Sequence, residues 1–142
     1  MDKIIIKLAF VFILAAGELW VAIPAGLAIK LKPLTVALVS LSGAVMGSLL
    51  VIFLGERLRR LFSKKNEEPK PAGLIYKIWQ KYGIIGLGLL APLVTGAPLG
   101  AALGVSLGAE PRKLLLWITS GIVLWTVILT VAASFGIELI KF

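Results

Sequence analysis

The chain is 142 residues long, 59% hydrophobic and 15% charged, with a mean hydropathy of +1.02, against roughly 45–50% apolar and 25% charged in soluble domains. This composition excludes a soluble globular domain and marks an integral membrane protein. With no cysteine and no histidine, the chain lacks a disulfide framework, a thiolate site, and the commonest metal ligand and general base, so no metal, no cofactor and no enzymatic activity are expected.

Four charge-poor segments follow one another: Leu8–Ile29, interrupted by Glu18, then Leu34–Gly55, Gly83–Ala109 and Leu114–Ile137. Each approaches or exceeds the roughly 20 residues that span a bilayer as a helix. The start, MDKIIIKLAFVFILAAG, has the basic end, apolar run and small residues of a secretory signal. The apolar pattern continues through ELWVAIPAGLAI, which favours a retained membrane segment.

The first segment is broken by GELWVAIPAG, Gly17 to Gly26, leaving Leu8–Ala16 as an arm of about 14 Å at 1.5 Å per residue, half of a hydrocarbon core of roughly 30 Å. A second arm, Ala25 to Leu31, returns a similar distance, and Pro33 begins a full-length helix. The third segment repeats the plan, with an arm before Pro92, a tip PLVTGAP, an arm after Pro98 and a full-length helix from Pro111. Pro24-Ala-Gly26 is matched to Pro98-Leu-Gly100, and Pro33 to Ser42-Gly43 has the spacing of Pro111 to Ser120-Gly121. A proline suits the first turn of a helix, where its missing N–H would be unpaired anyway.

The fold expected is therefore an all-α integral membrane protein of two inverted repeats, each a re-entrant helical hairpin followed by a transmembrane helix. It forms one membrane domain over 1–142, with repeat 1 at 3–62, a linker and interfacial helix at 63–82, and repeat 2 at 83–140. Re-entrant hairpins make the halves inverted; fully spanning hairpins would make them parallel. From Glu56 to Lys81 the chain carries eight Lys/Arg and three Glu, and basic loops beside membrane segments mark the cytoplasmic side. The inverted arrangement leaves ten Lys/Arg inside and five outside, the parallel one eleven and four, so charge does not choose between them and the short arms favour inversion. After the polar linker, LIYKIWQKY sets Ile75, Ile78, Trp79 and Tyr82 on one helical face, as in a short helix lying at the membrane surface. Because the basic residues flank membrane segments, membrane lipids are the expected partners and nucleic acid is not.

Glu18 is the one carboxylate well inside an apolar segment. A charge at the bilayer centre costs about 2.5–3.5 kcal/mol on insertion scales, so Glu18 needs a partner, water or a proton. It either exchanges protons and holds a cationic substrate, or caps the freed amides around Pro24. Gly96, Gly100, Gly104 and Gly108 recur every four residues, and the three after Pro98 form a side-chain-free stripe for close helix approach, with Gly43 and Gly47 as a second small-residue face. Leucine at Gly100 or Gly104 should therefore disrupt packing, and leucine at Gly88 should be milder. The tip around Thr95-Gly96 offers unpaired amides that can bind an anion or carboxylate.

At these residues the chain resembles a known family. GELWVAIPAG, the helix with SGAVMG, and LLAPLVTGAPLGAALG look like the small multidrug export family, a branch related to the DedA superfamily with its VTT, or SNARE-associated, membrane domain; the similarity covers roughly residues 10–137. The resemblance implies two inverted re-entrant hairpins facing each other, homodimerisation in some members, and transport: drug or cation export by the family name, undecaprenyl-phosphate or phospholipid translocation in related branches. Glu18 matches the acidic residue of the first hairpin and Pro92 the proline of the second. Typical DedA members carry arginines three residues either side of that proline, where this chain has Leu89 and Thr95, which puts deep phosphate capture in doubt.

Three functions remain open at this stage. The first is a small transporter of a cationic or amphipathic substrate, with or without proton coupling, using Glu18, Pro24, Gly26, Pro92, Thr95, Gly96 and Pro98. The second is a lipid-phosphate or phospholipid translocase with Lys30, Arg112 and Lys113 at the hairpin mouths. The third is a non-transport membrane scaffold. The expected location is the cell inner (plasma) membrane, crossed several times.

Overall fold

Prolines and glycines set where the helices start and stop. The computed structural model describes residues 2–62 and 73–140; the linker SKKNEEPKPA lies outside them. Six helices follow in order: α1 Asp2–Gly17, α2 Leu19–Ala28, α3 Pro33–Phe62, α4 Leu74–Val94, α5 Ala97–Ser106 and α6 Pro111–Ile140. There is no strand among the described residues. Pro33 and Pro111 open the two 30-residue helices, and the fixed φ of proline is ready-made for that position.

Each half has the same plan: an arm, a break, a ten-residue helix, a short turn and a 30-residue helix. The turns are built alike. Lys30 (φ 64) and Gly108 (φ 83) take left-handed backbone. Leu31 N donates to Gly26 O at 3.2 Å in the first turn, and Ala109 N to Gly104 O at 2.9 Å in the second. This is a Schellman stop, in which one left-handed residue lets the chain satisfy the last carbonyls of a helix. It pairs Gly26 with Gly104 rather than Gly100, shifting the correspondence drawn from Pro24 and Pro98. The packing agrees, because a methyl group built on Gly26 would lie 2.8 Å from Val36 Cγ1, and one on Gly104 would lie 2.5 Å from Leu114 Cδ1.

The breaks are shorter than the sequence suggested. In the first half a single residue, Glu18, is extended (φ −137, ψ 100). Pro24 lies inside α2, not at the tip, with its ring on an exposed face. In the second half Pro92 lies inside α4, and the break is Thr95-Gly96. The aromatic segment after the linker is helical from Leu74 and is divided from the second arm by a kink at Gly83 (φ 60, ψ −146). Its Trp79 packs partly buried against the core.

Lys7 Nζ donates to Ile29 O at 2.9 Å, so α2 folds back alongside α1. At the other end of the molecule, a groove lined by Ile52, Glu56 and Arg60 of α3 and by Pro111, Arg112 and Leu115 of α6 sets the end of α3 beside the start of α6. These two helices run antiparallel. The end of α5 reaches the same level, where a methyl group built on Gly55 would lie 3.3 Å from Val105 Cγ1. The arm α1 packs on α3, α4 packs on α6, and each short helix crosses onto the long helix of the other half, α5 on α3 and α2 on α6. Leu19, Ile23, Val36, Leu87, Leu114, Ile118 and Ile122 are buried between them.

The outside is apolar. Leu34 is 72% exposed and Phe53 65%, and such a surface on a soluble monomer would drive aggregation. Both α3 and α6 are long and apolar enough to cross a membrane, over Pro33–Leu58 and Pro111–Gly136.

Close helix approach depends on glycine. Methyl groups built on Gly43 and Gly47 would strike the Phe12 and Ala16 carbonyl oxygens of α1, and one on Gly100 would strike Ala91. Gly108 is not part of this stripe, since it has φ 83 and serves the turn before α6. The milder effect expected at Gly88 is corrected, because a methyl group there would lie 2.5 Å from Trp117 Cβ and 2.6 Å from the Trp117 backbone. Gly88→Leu is therefore expected to lower stability as much as Gly100→Leu or Gly104→Leu. Overpacking costs about 1–3 kcal/mol or more, whereas Gly136→Ala, with nothing within 4 Å, stays near neutral. Melting temperatures in detergent check this ordering, and equal values for all four variants would contradict it.

Candidate functional site

The two breaks face each other. A methyl group built on Gly96 would lie 3.1 Å from the Gly17 carbonyl oxygen, so the chain at 17–18 abuts the chain at 95–96. In the register set by the two turns, Glu18 and Gly96 occupy the same place in their halves. The centre thus holds two helix C-termini, of α1 and α4, and two N-termini, of α2 and α5.

The backbone bonding shows which groups are open there. Glu18 N donates to Leu14 O at 2.7 Å, and Ala22 N to Glu18 O at 3.1 Å. The amides of Leu19, Trp20 and Val21 form the open first turn of α2. In the second break Thr95 N donates to Ala91 O at 3.0 Å and Gly100 N to Gly96 O at 3.0 Å. The Thr95 amide expected to be free for an anion is therefore occupied. Pro98 has no N–H, which leaves the Ala97 and Leu99 amides at the start of α5. The Thr95 hydroxyl, half-buried, points at the Ala91 oxygen, 3.4 Å away.

Glu18 stands at the N-cap of α2 but makes no side-chain cap bond, and no ion pair among the described residues. Its carboxylate lies where the helix dipole favours negative charge, half-buried, with its acceptor capacity unspent. The capping role weighed for Glu18 has no bond to support it in this arrangement.

Carbonyls orphaned by the broken helices are covered by the long ones. Pro92 cannot donate to Gly88 O, and that oxygen lies against Gly121 of α6, while Trp125 Nε1 donates to Leu89 O at 2.8 Å. In the first half, Ala16 O faces Gly47 in the same way. Backbone Cα–H groups make weak contacts to such oxygens. Sequence reasoning missed Trp125 and underrated Gly88, because their partners lie on a distant helix. It also missed Ser40, Thr126 and Thr130, whose hydroxyl oxygens are buried without a hydrogen-bond partner, whereas Ser48 back-bonds to Ala44 O at 2.8 Å.

The basic residues named for the hairpin mouths divide between the two ends. Lys30 is the left-handed turn residue beside Lys7, while Arg112 and Lys113 lie at the start of α6, with Lys113 Nζ 2.9 Å from Glu110 Oε2. The two grooves described lie at the α3 and α6 ends, and Glu18 lines neither.

Apolar exterior, two long spans and a centre of facing helix breaks with one carboxylate define a small helical membrane protein. Residues 18–128 match the family described as "Putative small multi-drug export protein", and the chain belongs to that family. No curated protein and no solved structure matches the chain.

Trp125→Phe removes the donor to Leu89 O together with part of the ring, and should cost about 1 kcal/mol or more. Trp20→Phe, at a half-exposed ring, should cost less. Thermal unfolding in one detergent compares them, and equal melting temperatures would dismiss the bond as a stabilising contact.

Proposed function

We propose that the chain is a transporter that moves a cationic or amphipathic small molecule, with Glu18 holding the cation or exchanging a proton in its place. The observation that carries this reading is the unsatisfied Glu18 carboxylate in a helix break that abuts a second break. A carboxylate inside a membrane domain is costly, and it is retained without a protein partner. A cation or proton supplies that partner. The family to which the chain belongs favours export.

In this reading the two halves are inverted and each hairpin is re-entrant. The support is geometric: α3 and α6 run antiparallel, the first hairpin closes at Lys7 and Ile29, and the second closes near Val105 beside the end of α3. Inverted repeats with broken helices meeting at the midplane are a known plan of secondary transporters. Thr95, Gly96 and Pro98 form the second tip opposite Glu18, Pro24 and Pro92 lie within the helices that lead from and to the tips, Gly26 packs beside the first turn, and the basic linker faces the cytoplasm from the inner membrane. The chain is proposed to work as a homodimer among membrane lipids. A lipid-phosphate translocase is less supported, because Leu89 and Thr95 stand where deep cations would be needed, and a scaffold role leaves Glu18 unexplained.

Glu18→Gln keeps shape and hydrogen-bonding capacity but removes the charge. In proteoliposomes it should fold like the parent and lose pH-dependent uptake of a lipophilic cation, by tenfold or more if the ion pair is worth about 1.4 kcal/mol. Undiminished, pH-dependent transport in Glu18→Gln would refute the role of Glu18. Lipid flip without cation uptake in the parent would favour the translocase.

A further inference from the structure

At the level where α3 ends and α6 begins, the surface changes from apolar to charged within one helical turn. The groove there has a volume of about 560 Å³, with Leu49, Ile52, Phe53 and Leu115 as its floor and Glu56, Arg60, Glu110 and Arg112 at its rim. A second groove of about 480 Å³, lined by Leu50, Leu54 and Arg57, lies beside it and shares Phe53, Glu56 and Arg60. Phe53 lines both grooves, and it is 65% exposed.

Charge at the rim is unbalanced. Glu56 is tied to Arg60 and Glu110 to Lys113, which leaves Arg57 and Arg112 without a carboxylate partner among the described residues. Both lie at ends of the apolar spans, Pro33–Leu58 and Pro111–Gly136, the depth at which phospholipid phosphates are found. Arginine presents a planar fork of N–H donors that matches a phosphate bidentately.

We propose that this pair of grooves holds one acidic phospholipid of the surrounding leaflet, its two acyl chains straddling Phe53 and its phosphate held by Arg112 and Arg57. The two apolar channels argue for a two-chained lipid and against free phosphate or a single-chained amphiphile. The surplus of two cations argues for an acidic headgroup over a zwitterionic one. The site is remote from Glu18, so the inference rests on the membrane setting of the chain and not on the transport reading; its failure would leave the Glu18 test untouched.

The probe is phosphatidylglycerol, added to the purified protein in phosphatidylcholine nanodiscs and followed by native mass spectrometry of the released protein. The parent should retain one phosphatidylglycerol in preference to phosphatidylcholine. The double variant Arg57→Gln/Arg112→Gln should lose that preference by roughly tenfold or more, at about 1 kcal/mol per basic residue near an acidic surface. Arg57→Lys/Arg112→Lys should restore part of it, and Lys32→Gln, at the other end of α3, should keep it whole. Lysophosphatidylglycerol and inorganic phosphate should compete poorly. No preference in the parent, an undiminished preference in the Gln double variant, or full competition by inorganic phosphate would each overturn the proposal.

Discussion

Everything in this fold follows from breaking helices where no water can repair them. A backbone carbonyl or amide freed in hydrocarbon carries a penalty of several kcal/mol. The chain frees such groups twice, at Glu18 and at Thr95-Gly96. It covers them with its own long helices, and glycines make the cover possible: the Ala16 carbonyl rests on Gly47, and the Gly88 carbonyl, which Pro92 leaves without a donor, on Gly121. Each short helix then leans on the long helix of the opposite half, so neither break is shielded by its own half alone. The two halves need one another for the same reason that the breaks are tolerated.

This shared shield leaves one charge at the centre. In matching positions of the two halves stand Glu18 and Gly96, and only the first has a side chain. The arrangement puts a carboxylate residue at the start of α2, in the break whose backbone abuts the second tip. The proposed transport reading needs a cavity there in at least one state, whereas in this conformation the tips abut.

Much of this was legible in the sequence, because proline and glycine act locally. Pro33 and Pro111 marked the two long helices, and the uncharged segments marked the spans. Glu18 stood out as a carboxylate without company. The positions of the breaks were harder to read. GELWVAIPAG looked like a wide tip because Pro24 is a helix breaker, yet α2 accommodates Pro24 on an exposed face and the break is one extended residue. The role of Lys30 was read as electrostatic, whereas its backbone makes the turn that Gly108 makes in the other half. Gly88 was read as a tolerant position and Trp125 was not singled out, since their partners lie across the α4–α6 contact and nothing in their local pattern points there.

The central claim is that two hairpins enter from opposite sides of the membrane and meet tip to tip. Membrane-impermeant thiol labelling in the cysteine-free chain tests it most directly, with single cysteines at Lys3, Lys30, Arg112 and within residues 63–72. Inverted, re-entrant hairpins predict that positions 3 and 30 label from one side, and that 112 and the linker label from the other. Labelling of 3 and 30 from opposite sides would establish a fully spanning first hairpin and contradict the account.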